Sequence, residues 1–490
     1  MLKKLIVSVI IFITIVLTYV LFNTFTFTSK QLSVSPAPKV SVSDLVVDHF
    51  SQAIKIQTIS GEDPEVIDSA EFRKFSKLMI SSFPLIDSLL DKKTFNEFSF
   101  LYEWPGKNKE LKPVLLMGHL DVVPVSPNEI DNWQQPPFSG KVIDGQIWGR
   151  GTIDDKISVF GILEAVEMLL SEGYQPERTI FLAFGHDEEN LGKYGAEAIA
   201  KYLKQQKIRF EYVLDEGYSI VEDMIPGMTI PVALIGIAEK GFTSLKLSVE
   251  VEGGHSSMPK TETAIDVLGN AIYNLKQNKF PARLSGPMNE FADYLGPEMP
   301  FVNKMAFANR SLFKSLIVSS YEKSASGNAL LRTTIAPTIF RAGLKENVIP
   351  QYAEAIVNFR IIPGETGNSV KERVEQVISD ERVTVEFYGN GSNPSEVSAT
   401  NAIGFNQINK TIKEVYPEVL VAPNLVIALT DSRYYKDVAD QIYRFAPIRL
   451  NPDNISTFHG VNERIGVEQY KNAIRFYRQL IINSGLNSEE

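Results

Sequence analysis

The alternation of apolar and polar positions divides the chain into stretches of different texture. From Leu5 to Phe22 the run LIVSVIIFITIVLTYVLF carries no charge, and as a helix it would extend about 27 Å, close to the thickness of a bilayer core. Lys3 and Lys4 precede it, so the positive-inside rule leaves the N-terminus in the cytoplasm and the rest of the chain beyond the membrane. The pattern predicts a single-pass signal-anchor over residues 1–30. A cleaved signal peptide is the alternative, but the run is longer than the usual apolar region of ~7–15 residues and no A-x-A site follows it. Residues 31–42, rich in Ser and Pro, read as a tether without a core of its own.

Beyond the tether, short apolar runs alternate with helix-length amphipathic segments, the texture of an α/β domain. PVLLMGHLDVVPV, RTIFLAFGHDEE and FEYVLDEG each read as a buried strand with acidic or imidazole groups at its C-terminal end, where open α/β sheets place their sites. Between the first two, Asp154 to Gly173 has apolar residues at helical spacing and a Gly stop, so strand, helix and strand make a βαβ unit. From Ala238 strict alternation takes over, as in TSLKLSVEVEGG and YAEAIVNFRII, with helical segments near Ala264–Leu275 and Ser369–Ile378. After Pro394 the first texture resumes with a helical Ala402–Val415. These changes predict an α/β unit in two parts, 43–237 and 394–490, interrupted by an inserted α+β unit over 238–393.

Composition narrows the chemistry. The 490 residues exceed the size at which one core keeps growing. With 49 Lys+Arg against 59 Asp+Glu, the net charge of -10 argues against nucleic-acid binding, which needs a basic face. The absence of Cys excludes disulfides, thiolate metal sites and a cysteine nucleophile. Any metal must be held by His and carboxylates.

There are five histidines, and His119, His255 and His459 sit beside Gly, Asp or Ser rather than inside apolar runs. In GHLD, His119 and Asp121 are two apart, so on an extended chain they share a side and the carboxylate can orient the imidazole. Asp154 and Asp155 in WGRGTIDDK are equally suited to capping a helix. The acids Asp187, Glu188 and Glu189 in GHDEEN would serve as a solvated turn, or as a metal ligand beside a general base. Asp215 follows the next apolar run, and His459 lies near the C-terminus. Taken singly each has an ordinary structural reading. Taken in order, the set supplies the donors of a two-metal site built without thiolates.

The ordered motifs GHLDVVPV, WGRGTIDDK, FGHDEE, LDEG, GGHSSMP, KENVIPQ, FRIIPGET, ALTDSRYY and FHGVNE resemble those of the co-catalytic di-zinc metallopeptidases of the aminoacylase and carboxypeptidase S superfamily. The resemblance runs from about residue 45 to the C-terminus. It is strongest with the carboxypeptidase S branch, which includes N-fatty-acyl-amino-acid synthase/hydrolases. It implies an α/β zinc-peptidase domain with a mixed sheet flanked by helices, and an inserted lid or dimerisation domain. It also implies two Zn2+ per subunit, with Asp154 bridging both, His119 and Asp215 completing one site, and Glu189 and His459 the other. Glu188 would be the general base, Asp121 the partner of His119, and His255 an oxyanion donor. Asn347 and Arg360 would grip a substrate carboxylate.

The expected function is hydrolysis of a peptide or N-acyl-amino-acid amide bond in a substrate with a free carboxylate. The enzyme would face the periplasm, a vacuole lumen or the exterior, with a homodimer through the inserted domain possible. A reversible N-fatty-acyl-amino-acid hydrolase/synthase and a non-catalytic binding module on the same fold are the alternatives.

Overall fold

The structure is a computed structural model that describes residues 1–60, 67–284 and 286–485. Its centre is a ten-stranded sheet whose middle strands, Val114–His119, Ile180–Gly185 and Tyr212–Asp215, are buried at every position. Burial on both faces is why these strands read as unbroken apolar runs. Val114–His119 runs parallel to both neighbours, with His119 opposite Gly185 and Val114 opposite Tyr212. Alternation sends Leu115 and Met117 to one layer, where they meet Ile199 and Leu203 of helix Ala196–Gln205. Val114 and Leu116 go to the other layer with Phe160, Leu163 and Tyr477. There the helices Lys156–Ser171 and Val467–Asn483 pack on each other. Each such side chain contributes about 1.5–3 kcal/mol when fully buried. The strand ends that carry the polar groups therefore rest on a rigid floor.

The sheet is mixed. Ser99–Trp104 lies antiparallel to Ile180–Gly185, while Leu420–Val426 returns from beyond the insertion to pair in parallel with Val232–Glu239. The inserted unit has its own four-stranded antiparallel sheet, ordered Thr334–Ala342, Tyr352–Ile361, Gly241–Glu250, Val383–Ser392. Leu245, Leu247, Val357 and Phe359 face the helices Ala264–Gln277 and Gly367–Ile378. Both helices begin with a capping box, from Thr263 with Asp266 and from Thr366 with Ser369. Separate buried clusters, on the two faces of the large sheet and under the inserted sheet, thus replace the single core that a chain this long could not sustain.

Two regions differ from the reading of the sequence. The helical part of the insertion packs on the catalytic body and not on the lid sheet: Phe291, Leu295, Phe307 and Ile317 belong to the main core. Its amphipathic faces match an apolar surface beside strand Leu420–Val426, which periodicity alone cannot identify. The stretch 31–42 is likewise no free tether. Gln31 Nε2 donates to Val421 O at 2.9 Å and Gln31 Oε1 accepts from Val421 N at 2.8 Å. Further along, Ala37 N donates to Glu414 O at 3.0 Å and Arg475 Nε to Val40 O at 3.0 Å. Its backbone groups find partners on the body, a fit that low complexity conceals.

Candidate metal centre

The parallel strands deliver their polar groups at one edge of the sheet. His119 ends its strand with Nδ1 3.0 Å from Asp121 O and 3.3 Å from Asp121 Oδ1. Asp121, fully buried, also accepts from Ser60 Oγ at 2.6 Å and from the backbone N–H groups of Glu188 and Glu189, each at 3.1 Å. Burial works against ionisation of Asp121, but the His119 imidazole and the Ser60 hydroxyl outweigh it and hold the carboxyl below the usual range. One carboxylate therefore fixes the imidazole and the turn carrying both glutamates, which is the function of an outer partner in a metal site.

Asp154 sits between two imidazoles. Its Oδ1 is 3.0 Å from His119 Nε2 and its Oδ2 is 2.6 Å from His459 Nε2. Burial disfavours the Asp154 anion, yet hydrogen bonds from His119 and His459 hold its pKa well below the ordinary value. The same bond to Asp154, helped by Glu189, lifts His459 to about 10. Glu189 Oε1 is 3.4 Å from His459 Nε2.

A buried pair ties the two loops together. Glu463 Oε1 accepts from Gly151 N at 2.9 Å and Ile153 N at 2.8 Å, while Glu463 Oε2 accepts from Arg150 Nη1 at 2.6 Å. Arg150 Nη2 donates to His459 O at 3.2 Å. Glu463 thus sets the turn that presents Asp154 and, through Arg150, the loop that presents His459. The sequence offered one hint of it, an acid four residues after His459 in FHGVNE.

The structure separates Asp215 from its neighbour Glu216. Asp215 is buried and its Oδ2 accepts from Ser432 N at 2.8 Å, which braces the ALTDSRYY segment. It is Glu216 whose carboxylate joins His119 and Asp154, the donor atoms all within 4.8 Å of one another. Two further groups meet the same condition: His119 with Glu188 and Glu189, and Asp154 with Glu189 and His459. The strand Tyr212–Asp215 ends at Asp215, and Glu216 lies in the bend that follows, so the two carboxylates meet different neighbours.

The donor set fits divalent metal. Burial pushes Glu216 well above the usual carboxylate range, and Asp154, Asp155 and Glu188 add to the rise. Burial does the same to Glu188, opposed by His119 and reinforced by Asp431 and Glu189. Crowded buried carboxylates facing neutral or cationic imidazoles are costly without a cation and strongly favoured with one. Close packing maintains the crowding: a Cβ on Gly192, which has φ +63°, would lie 1.9 Å from Asp431 Oδ1.

The lid residues are elsewhere. His255 is exposed, with Nδ1 2.8 Å from Ser257 Oγ, and Asn347 O accepts from Ser256 N at 3.2 Å. These two adjoin through the pairing of Gly254–His255 with Val348–Ile349. Arg360 lies at the opposite end of the lid sheet, beside the crossing into the body at Gly241, with its guanidinium 5.8 Å from the Phe242 ring. Tyr352 and Arg360 stand on one strand, about 27 Å apart at 3.4 Å per residue. Asn347 precedes Tyr352 and adjoins the pairing of Gly254–His255 with Val348–Ile349, towards the end of the sheet away from Arg360. Of the other histidines, His186 lies 2.5 Å from Ser99 Oγ through Nδ1, and His49 lies 2.8 Å from Glu164 Oε1.

Comparison with known proteins agrees with this architecture. The sequence matches Peptidase family M20/M25/M40 over residues 115–483. It is 40% identical over 486 residues to a probable carboxypeptidase S-like 2 of Dictyostelium discoideum, covering 96% of this chain and 92% of that protein. It is 41% identical over 448 residues to an N-fatty-acyl-amino acid synthase/hydrolase of Danio rerio, covering 90% and 86%. The fold is shared with an M20 family metallo-carboxypeptidase from Sulfolobus solfataricus, at a TM-score of 0.65, 18% identity and coverage of 91% and 100%. Human carnosine dipeptidase 1 also shares it, at a TM-score of 0.60, 15% identity and coverage of 90% and 96%. By profile, by full-length relatives and by fold, the chain belongs to peptidase family M20/M25/M40 and is a metallopeptidase of that family.

Proposed function

We propose that the protein is a membrane-anchored dinuclear zinc hydrolase that cleaves the amide bond of peptides or N-acyl amino acids bearing a free carboxylate. The observation that carries this reading is Asp154, a buried carboxylate with one oxygen on each of two imidazoles. Asp154 would bridge two zinc ions, with His119 and Glu216 on one and Glu189 and His459 on the other. Glu216 takes the place that the sequence suggested for Asp215. When bound, the metals supply a Lewis acid and an acidified water.

The chain's own residues supply the rest. Glu188, buried among acids and with its pKa raised, is suited to take a proton from the water and pass it to the leaving amine, since a base works best with a pKa near the operating pH. Asp121 keeps Glu188 in place through the backbone N–H. Arg360 has no carboxylate partner among the described residues, whereas Arg283 is paired with Glu365 and Arg341, further along the neighbouring strand, with Glu354. A planar guanidinium left free beside the crossing into the body suits a substrate carboxylate.

His255 and Asn347, remote from Arg360 in the same chain, would serve the site of a second copy in a homodimer formed through the lid. The helix Leu2–Thr26, apolar from Leu5 to Phe22 and charged only at Lys3 and Lys4, would hold the enzyme in the membrane with the catalytic body on the non-cytoplasmic side.

The test is turnover by the zinc-loaded protein of dipeptides and N-acyl amino acids beside their C-terminally amidated counterparts. Turnover that disappears on amidation is the expected result, and the preferred acyl length decides between peptide and fatty-acyl substrates. Equal turnover of amidated and free forms would overturn the carboxylate requirement. No turnover of any member would favour the binding-module alternative.

A further inference from the structure

The helix Leu2–Thr26 does not leave the body on a flexible leash. Asn23 Nδ2 donates to Asn309 Oδ1 at 2.9 Å, and Asn309 Nδ2 donates to Val20 O at 3.1 Å and lies 3.3 Å from Thr24 Oγ1. Val20, Thr24 and Asn309 are buried and Leu21 and Asn23 half-buried, although the helix from Leu2 to Tyr19 is exposed. The chain next seals the joint. Phe27 packs on Gly296, where an added Cβ would lie 2.7 Å from the ring, and Lys30 pairs with Asp293 at 3.4 Å. The last turn of the helix is therefore a fixed part of the catalytic body.

Asn309 is also the joint between the helices Phe301–Ala308 and Arg310–Tyr321. These display Phe301, Val302, Leu312 and Leu316 at 51%, 65%, 55% and 61% exposure. Leu312 and Leu316 are four apart and share a helix face. The Phe301 ring is 6.2 Å from Phe25 of the long helix, so the apolar surface is continuous with it. Lys304, three residues after Phe301, shares its helix face. From Leu2 to Val20 the helix rises about 27 Å, nearly the thickness of a hydrocarbon core. With Lys3 and Lys4 at one boundary, the Asn309 joint falls at the other.

We infer that the helix pair Phe301–Ala308 and Arg310–Tyr321 lies in the bilayer interface, with Phe301, Val302, Leu312 and Leu316 among the acyl chains and Lys304 beside them facing anionic headgroups. This is the composition of an interfacial helix: apolar on one face, basic beside it. The body is then held against the membrane at two elements in one orientation. The inference rests on the reading of Leu2–Thr26 as a membrane anchor.

Because the chain has no Cys, the test needs only single substitutions at exposed positions of the full chain. Leu312→Cys, Leu316→Cys and, as a control on the lid helix Gly367–Ile378, Gln376→Cys are labelled with an environment-sensitive fluorophore. Each is reconstituted into phosphatidylcholine vesicles containing phosphatidylserine, with and without nitroxide-bearing lipids. The expected result is blue-shifted emission and loss of fluorescence to the nitroxide lipids at 312 and 316, with neither at 376. Three results overturn the inference. Protein that fails to float with vesicles removes the anchor reading itself. Protein that floats with 312 and 316 no more quenched than 376 leaves the anchor and removes the interfacial surface. A blue shift without lipid quenching assigns the surface to a second copy of the chain.

Discussion

The floor of the metal centre and the tip of the lid are built on opposite plans. In the floor, Asp121, Asp154 and Glu463 are buried and each holds two or more partners from distant parts of the chain. At the tip, His255 and Asn347 are exposed and held by a two-residue strand pairing and a turn. Metal ligation needs atoms fixed to within a few tenths of an ångström, which burial and cross-loop bonds provide. A group proposed to meet substrate from a second copy would need to be accessible, and altering it should leave its own body almost untouched.

The largest effect should come from the floor. Glu188→Ala should lower kcat by about 10²–10⁴-fold, the usual contribution of a general base, with metal content unchanged. Turnover close to wild type would remove Glu188 from the mechanism. Next, Glu463→Gln should leave Arg150 as an uncompensated buried cation, a loss of the kind that costs about 3–5 kcal/mol, and the melting temperature should fall with metal affinity. His255→Ala at the tip should abolish turnover with no such fall.

The comparison sharpens when variants of the two regions are mixed. Glu188→Ala and His255→Ala copies, each inactive alone, should regain roughly a quarter of wild-type turnover by random pairing into symmetric dimers. No recovery would return His255 to its own chain. Arg360→Lys should raise KM for free carboxylates by about 10–100-fold, the loss of one or two charged hydrogen bonds, with amidated substrates unaffected. The smallest effect belongs to His49, outside both regions. The hydrogen bond to Glu164 raises its pKa against an opposing burial effect, so its contribution is complete below about pH 6.5 and fades as pH rises through the folded value. The melting-temperature gap between wild type and His49→Ala should therefore be wider at pH 6 than at pH 9.

Much of this architecture was legible in the sequence because one physical cause left a long signal. Strands buried on both faces had to be continuous apolar runs, and the alternation of the lid strands could belong only to a sheet with one covered face. The residues at the strand ends stood out because imidazoles and acids rarely close an apolar run. What could not be read depended on direction or on partners far along the chain. Asp215 and Glu216 are adjacent acids, and nothing in their order says which one joins His119 and Asp154. Glu463 matters through Arg150 and Gly151, some three hundred positions earlier. The docking of residues 31–42 relies on backbone groups and Gln31, which carry no periodic pattern.

The central claim is that two metals share Asp154, with Glu216 and Glu189 on opposite sides. The most direct test is metal stoichiometry, by mass spectrometry of the purified full chain after zinc loading and buffer exchange, for wild type, Glu216→Ala and Asp215→Asn. The account predicts two zinc ions in wild type, loss of one in Glu216→Ala and retention of both in Asp215→Asn. No bound zinc in wild type, or loss in Asp215→Asn with none in Glu216→Ala, would contradict it.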